Sequence, residues 1–84
     1  MNSQPLLDSK TTVRLPYLET ARALFSLSQT QRRLAHQIRR EAFDWEARGN
    51  YKNFASCMLE GRRLWREAKW HLQNARMNRE RAIR

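Results

Sequence analysis

The side chains able to do covalent or metal chemistry are few and scattered. Glu67 and His71 stand four residues apart, on one face of a helix, but two donors do not close a metal site. His36 is isolated, and Cys57 is the one thiol in the chain. It reads as a small buried hydrophobe that would cross-link a dimer only under oxidising conditions. No His-Glu-x-x-His, Gly-rich phosphate loop, Cys-x-x-Cys or nucleophile–base pair is written in the sequence. The expectation is therefore a non-enzyme, with no cofactor, no metal and no small-molecule substrate.

What the chain does carry is binding chemistry. Arg62, Arg63, Arg66, Lys69 and Arg76 crowd into fifteen consecutive positions around Trp65 and Trp70. Guanidinium groups pair bidentately with carboxylate or phosphate. A run of them along a rod also gains affinity for nucleic acid by releasing counterions. Trp70 among arginines suits a protein hot spot or a base-stacking platform, and equally suits packing against another helix. Arg32-Arg33 and Arg39-Arg40 add charge upstream. A helix-turn-helix reading of this region is weak, because the start of the would-be recognition helix, Tyr51 to Phe54, is poor in base-reading side chains.

These residues need helices to position them. From Tyr51 almost to Arg84 no Gly–Pro punctuation intervenes, so a single long helix is expected. Along it, Phe54, Met58, Gly61, Trp65, Ala68, Leu72, Ala75, Arg79 and Ala82 alternate at spacings of four and three, a heptad seam. One seam position is mostly large (Met58, Trp65, Leu72), and the other is small at every seventh residue (Gly61, Ala68, Ala75, Ala82). That pattern admits close approach of a second helix. The partner is left open: an upstream helix of the same chain, or the same helix of a second copy in a homodimer. Met58, Gly61, Trp65, Ala68, Leu72 and Trp70 are the expected partner-binding residues.

Upstream, Gly49 marks a helix stop and Asn50 a helix cap. A helix from about Gln29 to Arg48 is expected before them. Ser28 with Gln31 has the spacing of a capping box at its start. A short helix from Tyr17 to Leu27 would precede it, opened by Pro16. Alternatively the two are one helix broken near Ser26–Thr30. Residues 1–16 read as a flexible arm, and residues 17–84 as a single helical domain. The fold class is thus all-α: a basic helical hairpin with a long C-terminal heptad-bearing helix, a short preceding helix and a flexible N-terminal arm.

Composition sets the outer limits. Eighty-four residues make one small domain. Seventeen Lys and Arg against eight Asp and Glu leave a net charge of +9, which excludes an acidic DNA mimic. Two Gly and two Pro are too few for a small all-β domain, and 40% hydrophobic residues are too many for a wholly disordered chain. No apolar run approaches the ~18 residues of a membrane span. A soluble, cytoplasmic protein with no membrane partner is the expectation. The charge is uneven: from Arg48 onward there are ten Lys and Arg and three acids.

The run Ala42, Glu46, Gly49, Tyr51 and Ala55 resembles the ANR family of small negative regulators of AraC-type activators, and the PerC-type regulators. Asn74, Met77 and Arg81 fall near the families' late Asn…Trp…Arg positions; Met58 and Met77 stand where those families carry tryptophan. The resemblance implies a short regulator, often carried by mobile elements such as phages or plasmids. It would bind a transcription factor through its last helix and modulate it. Direct DNA or RNA binding by the basic face is the alternative.

Overall fold

In a computed structural model, residues 9–83 are described, with side chains from Arg14 onward. Two helices account for nearly all of them: α1, Ser9–Ala47, and α2, Tyr51–Ile83. They lie antiparallel as a hairpin 68 × 19 × 11 Å in extent.

The turn follows from three residues. Gly49 adopts a φ of 79°, a conformation that strains any side chain with a Cβ. Its N–H bonds the Glu46 carbonyl at 2.9 Å and the Asn50 N–H bonds the Trp45 carbonyl at 2.9 Å. This pair of bonds closes a helix in a Schellman motif. Asn50 then caps α2: its Oδ1 accepts from the Asn53 N–H at 3.0 Å, satisfying one of the donors a helix start leaves free. The expected stop at Gly49 and cap at Asn50 are both present.

Upstream of the turn the structure corrects the sequence reading. α1 is unbroken, so the short Tyr17–Leu27 helix and the Gln29–Arg48 helix are one element. Pro16 lies inside it and does not open it. A proline there removes one helical hydrogen bond and presses on the carbonyl four residues earlier, and the chain remains helical on both sides. Of the expected arm, Ser9 to Pro16 is helical and residues 1–8 lie outside the described residues. Ser28 does not cap a helix. Its hydroxyl donates at 2.7 Å to the Ala68 carbonyl across the hairpin, so it has a partner without interrupting α1.

The core is a ladder of small residues. On α1 the buried positions are Ala21, Ser28, Ala35 and Ala42; on α2 they include Ala68, Ala75 and Ala82. Both sets repeat every seven residues. Ser28 faces Ala68, and a Cβ on Gly61 would lie 3.6 Å from the Ala35 carbonyl oxygen. Each seven-residue step back along α1 therefore meets one forward along α2. Small side chains on both helices let the axes approach toward the short end of the usual ~8–10 Å. The small-residue seam of α2 pairs within the chain, with α1 as its partner. Leu64 is the one large residue in the buried set; it sits beside the seam, on the side away from Trp65.

Candidate functional site

A two-helix hairpin has two broad faces. Contacts across the seam assign residues to each, and the seven-residue repeat extends the assignment along the rod.

One face is basic and aromatic. At its centre Trp65 is half-buried, with the His36 ring edge-on at 5.5 Å. The Arg32 guanidinium lies 5.3 Å and the Lys69 ammonium 5.9 Å from the Trp65 ring centroid. Further along, Arg39 covers Phe43 at 5.8 Å, and Phe43 meets Phe54 at 6.5 Å. Such cation–ring contacts contribute about 0.5–1 kcal/mol each at exposed sites. They also hold the guanidinium groups in place. An open groove of about 500 Å³ runs between the helices here. Ala35, Gly61, Met58 and Trp65 form its apolar floor, and Arg39, Arg62 and Arg66 stand at its edge. The groove exists because the two small seam residues at this level, Ala35 and Gly61, leave the space between flanking large side chains unfilled.

Among the described residues, the repeat puts Arg22, Arg32, Arg39, Arg62, Lys69, Arg76 and Arg79 on this face, with Glu46 the one acid there. The opposite face is mixed: Glu41, Glu60 and Glu67 lie there with Arg48 and Arg81. There Gln31 Nε2 donates to Glu67 Oε1 at 3.0 Å, and Gln31 Oε1 lies 2.7 Å from His71 Nδ1.

The expected site residues divide between these surfaces. Arg62, Lys69 and Arg76 line up on the basic face, with Arg66 beside them. Arg63 does not join them. It is ion-paired with Glu60 and Glu67 on the other side of α2. Its hydrogen bond to Glu60, then the charges of Glu60 and Glu67, raise its pKa further above the ordinary arginine value, so it stays cationic but committed to neighbours. Met58, Trp65 and Leu72 are half-buried on the basic face. Gly61 faces α1, and Ala68, at 1% exposure, lies beneath Ser28. Trp70 is 60% exposed on the far side of α2, edge-on to His71 at 5.1 Å.

The half of the basic face supplied by α1 was not singled out in the sequence as a site. Its signal was nonetheless present. Arg32 and Arg39 are seven apart, as are Arg22, Gln29, His36 and Phe43. Division of α1 at Ser28 removes only Arg22 from this repeat; what the sequence does not write is that Arg32, His36 and Arg39 stand against Trp65 and the groove of α2.

The residues that carry the regulator resemblance have duties in the hairpin itself. Ala42 is fully buried in the seam, and Glu46 and Gly49 build the turn. Among the described residues no three of His, Cys, Asp and Glu converge as a metal site would require. No helix among them is long and apolar enough to cross a membrane. No protein-family model, curated protein or solved structure matches the chain.

Proposed function

We propose that this chain is a non-enzymatic regulator that acts in the cytoplasm by binding a partner protein, such as a transcription regulator, on its basic–aromatic face. One observation carries the reading: an apolar groove floored by Met58, Gly61 and Trp65 is rimmed by Arg39, Arg62 and Arg66. A groove with an apolar floor and a cationic rim suits an amphipathic segment with an apolar anchor and acidic flanks. The anchor fills the groove and the acids meet the guanidinium groups. A bare phosphate backbone would use the rim and leave the floor empty. The regulator resemblance of the Ala42–Ala55 run points to the same class of function.

A second reading, direct DNA or RNA binding, has its own support. Among the described residues of this face there are seven cations and one acid, an arrangement that attracts any polyanion.

One experiment separates the two. A photo-reactive amino acid replaces His36, which is exposed at the groove, and the chain is irradiated in its own cells. The proposal expects a nuclease-resistant protein adduct that disappears when Trp65→Ala is added. An adduct that nuclease removes overturns it in favour of nucleic acid. The same readout with the probe at Arg33, on the outer side of α1, serves as the background.

A further inference from the structure

The hairpin leaves more surface uncovered than a chain of its mass ordinarily does. Its accessible surface is 6525 Å², whereas a compact monomer of 10.1 kDa exposes about 5,300 Å². The elongated shape, 68 × 19 × 11 Å, accounts for the excess of roughly 1,200 Å² per chain, and a second copy that covered as much would make an interface of obligate-dimer size. The interior agrees: among the described residues no large side chain is fully buried.

The mixed face offers an apolar surface for such a copy. Tyr17, Leu24, Leu27, Leu34, Ile38 and Trp45 lie along α1 at heptad spacing, with Thr20, Gln31 and Glu41 at the remaining positions of the same stripe, beside the small-residue ladder. Leu27 and Leu34 are 42% and 41% exposed. This second stripe is palindromic in character. Gln31 stands at its centre, with Leu27 and Leu34 on either side, then Leu24 and Ile38, then Tyr17 and Trp45. An antiparallel copy of α1 placed on it about a two-fold axis at Gln31 sets Leu24 against Ile38 and Tyr17 against Trp45, and brings Leu27 within one residue of the level of Leu34. A polar residue at the centre of such a core fixes register, and a two-fold contact requires this self-complementarity.

Charge decides between the two faces. The basic face, with seven cations and one acid among the described residues, repels its own copy. The mixed face balances Glu41, Glu60 and Glu67 against Arg48 and Arg81. The same axis brings the two Glu67 side chains toward each other, and Arg63 and Gln31 already hold that carboxylate. We propose that the partner of the mixed face is a second copy of this chain, and that two hairpins pair antiparallel, α1 on α1, into a four-helix bundle with Gln31 on the two-fold axis. Both basic faces then point outward. The inference is independent of what those faces bind.

The test is sedimentation equilibrium of the nuclease-treated full chain at physiological and at high salt. Twice the 10.1 kDa chain mass is expected at both, because the contact is mainly apolar and its charges are nearly balanced. A monomer overturns the proposal. Leu27→Glu with Leu34→Glu is expected to halve the mass, and persistence of the dimer overturns the choice of face. Because that variant is open to unfolding, a second measurement uses cysteine in a Cys57→Ser background. Gln31→Cys is expected to form an interchain disulfide on mild oxidation while Arg62→Cys does not. Cross-linking at Arg62→Cys but not at Gln31→Cys also overturns the proposal.

Discussion

Ser28 and Ala68 are forty residues apart in sequence, and the Ser28 hydroxyl donates a 2.7 Å hydrogen bond to the Ala68 main-chain carbonyl. A side chain of one carbon and one oxygen that reaches the backbone of the opposite helix measures how near the two helices lie. The bond also explains a serine in an otherwise alanine ladder. The hydroxyl turns the second lone pair of a helical carbonyl into a link between α1 and α2.

Size at this position therefore matters more than polarity. Ser28→Ala removes the hydroxyl, worth about 0.5–1.5 kcal/mol net, and leaves no orphaned donor, while alanine favours the helix by a few tenths of a kcal/mol. A loss of less than about 1 kcal/mol in urea unfolding is expected. Ser28→Leu forces the axes apart, and a loss of about 2 kcal/mol or more is expected. Equal stability of the two variants would show that the helices do not approach closely at Ser28.

Gly61 invites the opposite change. A Cβ there would meet the Ala35 oxygen at 3.6 Å and the Ile38 Cγ2 at 3.9 Å, which are ordinary contacts. The close approach of the helices thus leaves room for alanine, and the glycine costs helix stability without steric need. Gly61→Ala is expected to stabilise the hairpin by about 0.4–1 kcal/mol, read as a higher unfolding midpoint at unchanged slope. A lower midpoint would mean that the space beside Gly61 is tighter than these distances indicate.

Gly49 behaves differently, because its constraint is conformational. Nothing lies within 4 Å of a Cβ placed there, yet φ is +79°. Gly49→Ala is expected to cost about 1 kcal/mol through left-handed strain alone, and Gly49→Asn less, since asparagine tolerates this region. Thermal unfolding of both variants checks the order.

Much of this architecture was legible in the sequence, for local reasons. Gly49 and Asn50 act within a few residues of themselves, so their signals read directly. The small positions Gly61, Ala68, Ala75 and Ala82 form a repeat on one element, and it too was plain. Its partner on α1 was not. Ala21, Ser28, Ala35 and Ala42 make the matching repeat, but Ser28 with Gln31 has the spacing of a helix cap, and Pro16 that of a helix start. Each local signal is sound by itself. Here the non-local bond to Ala68 gives Ser28 a different use, and the helix runs through. Adjacency groups Arg63 with Arg62 and Arg66, whereas neighbours on a helix point in different directions and only its ion pairs with Glu60 and Glu67 reveal its side.

That separation of Arg63 from Arg62 yields the sharpest functional contrast. Arg39, Arg62 and Arg76 belong to the basic face, and Arg63 is committed to Glu60 and Glu67 on the other side of α2. The triple variant Arg39→Gln, Arg62→Gln, Arg76→Gln lowers the net charge by three, and Arg63→Gln lowers it by one. If ligand is recognised by the basic face, the triple variant is expected to weaken binding at least tenfold, at about 1 kcal/mol or more per charge-assisted hydrogen bond lost. Arg63→Gln is expected to leave affinity within about twofold, since exposed ion pairs are worth at most ~1 kcal/mol and these lie off the binding face. The dependence on salt then tells which ligand is bound. For nucleic acid the triple variant flattens the slope of log K against log salt by about one unit per phosphate contact removed. For an amphipathic protein segment the slope is shallow from the start, and Trp65→Ala does more damage than any single arginine. Titration of a duplex, a single-stranded oligonucleotide and an acidic amphipathic peptide at several salt concentrations reads all of this. Equal loss of affinity in Arg63→Gln and Arg62→Gln would show that binding follows total charge and that the basic face has no privileged role.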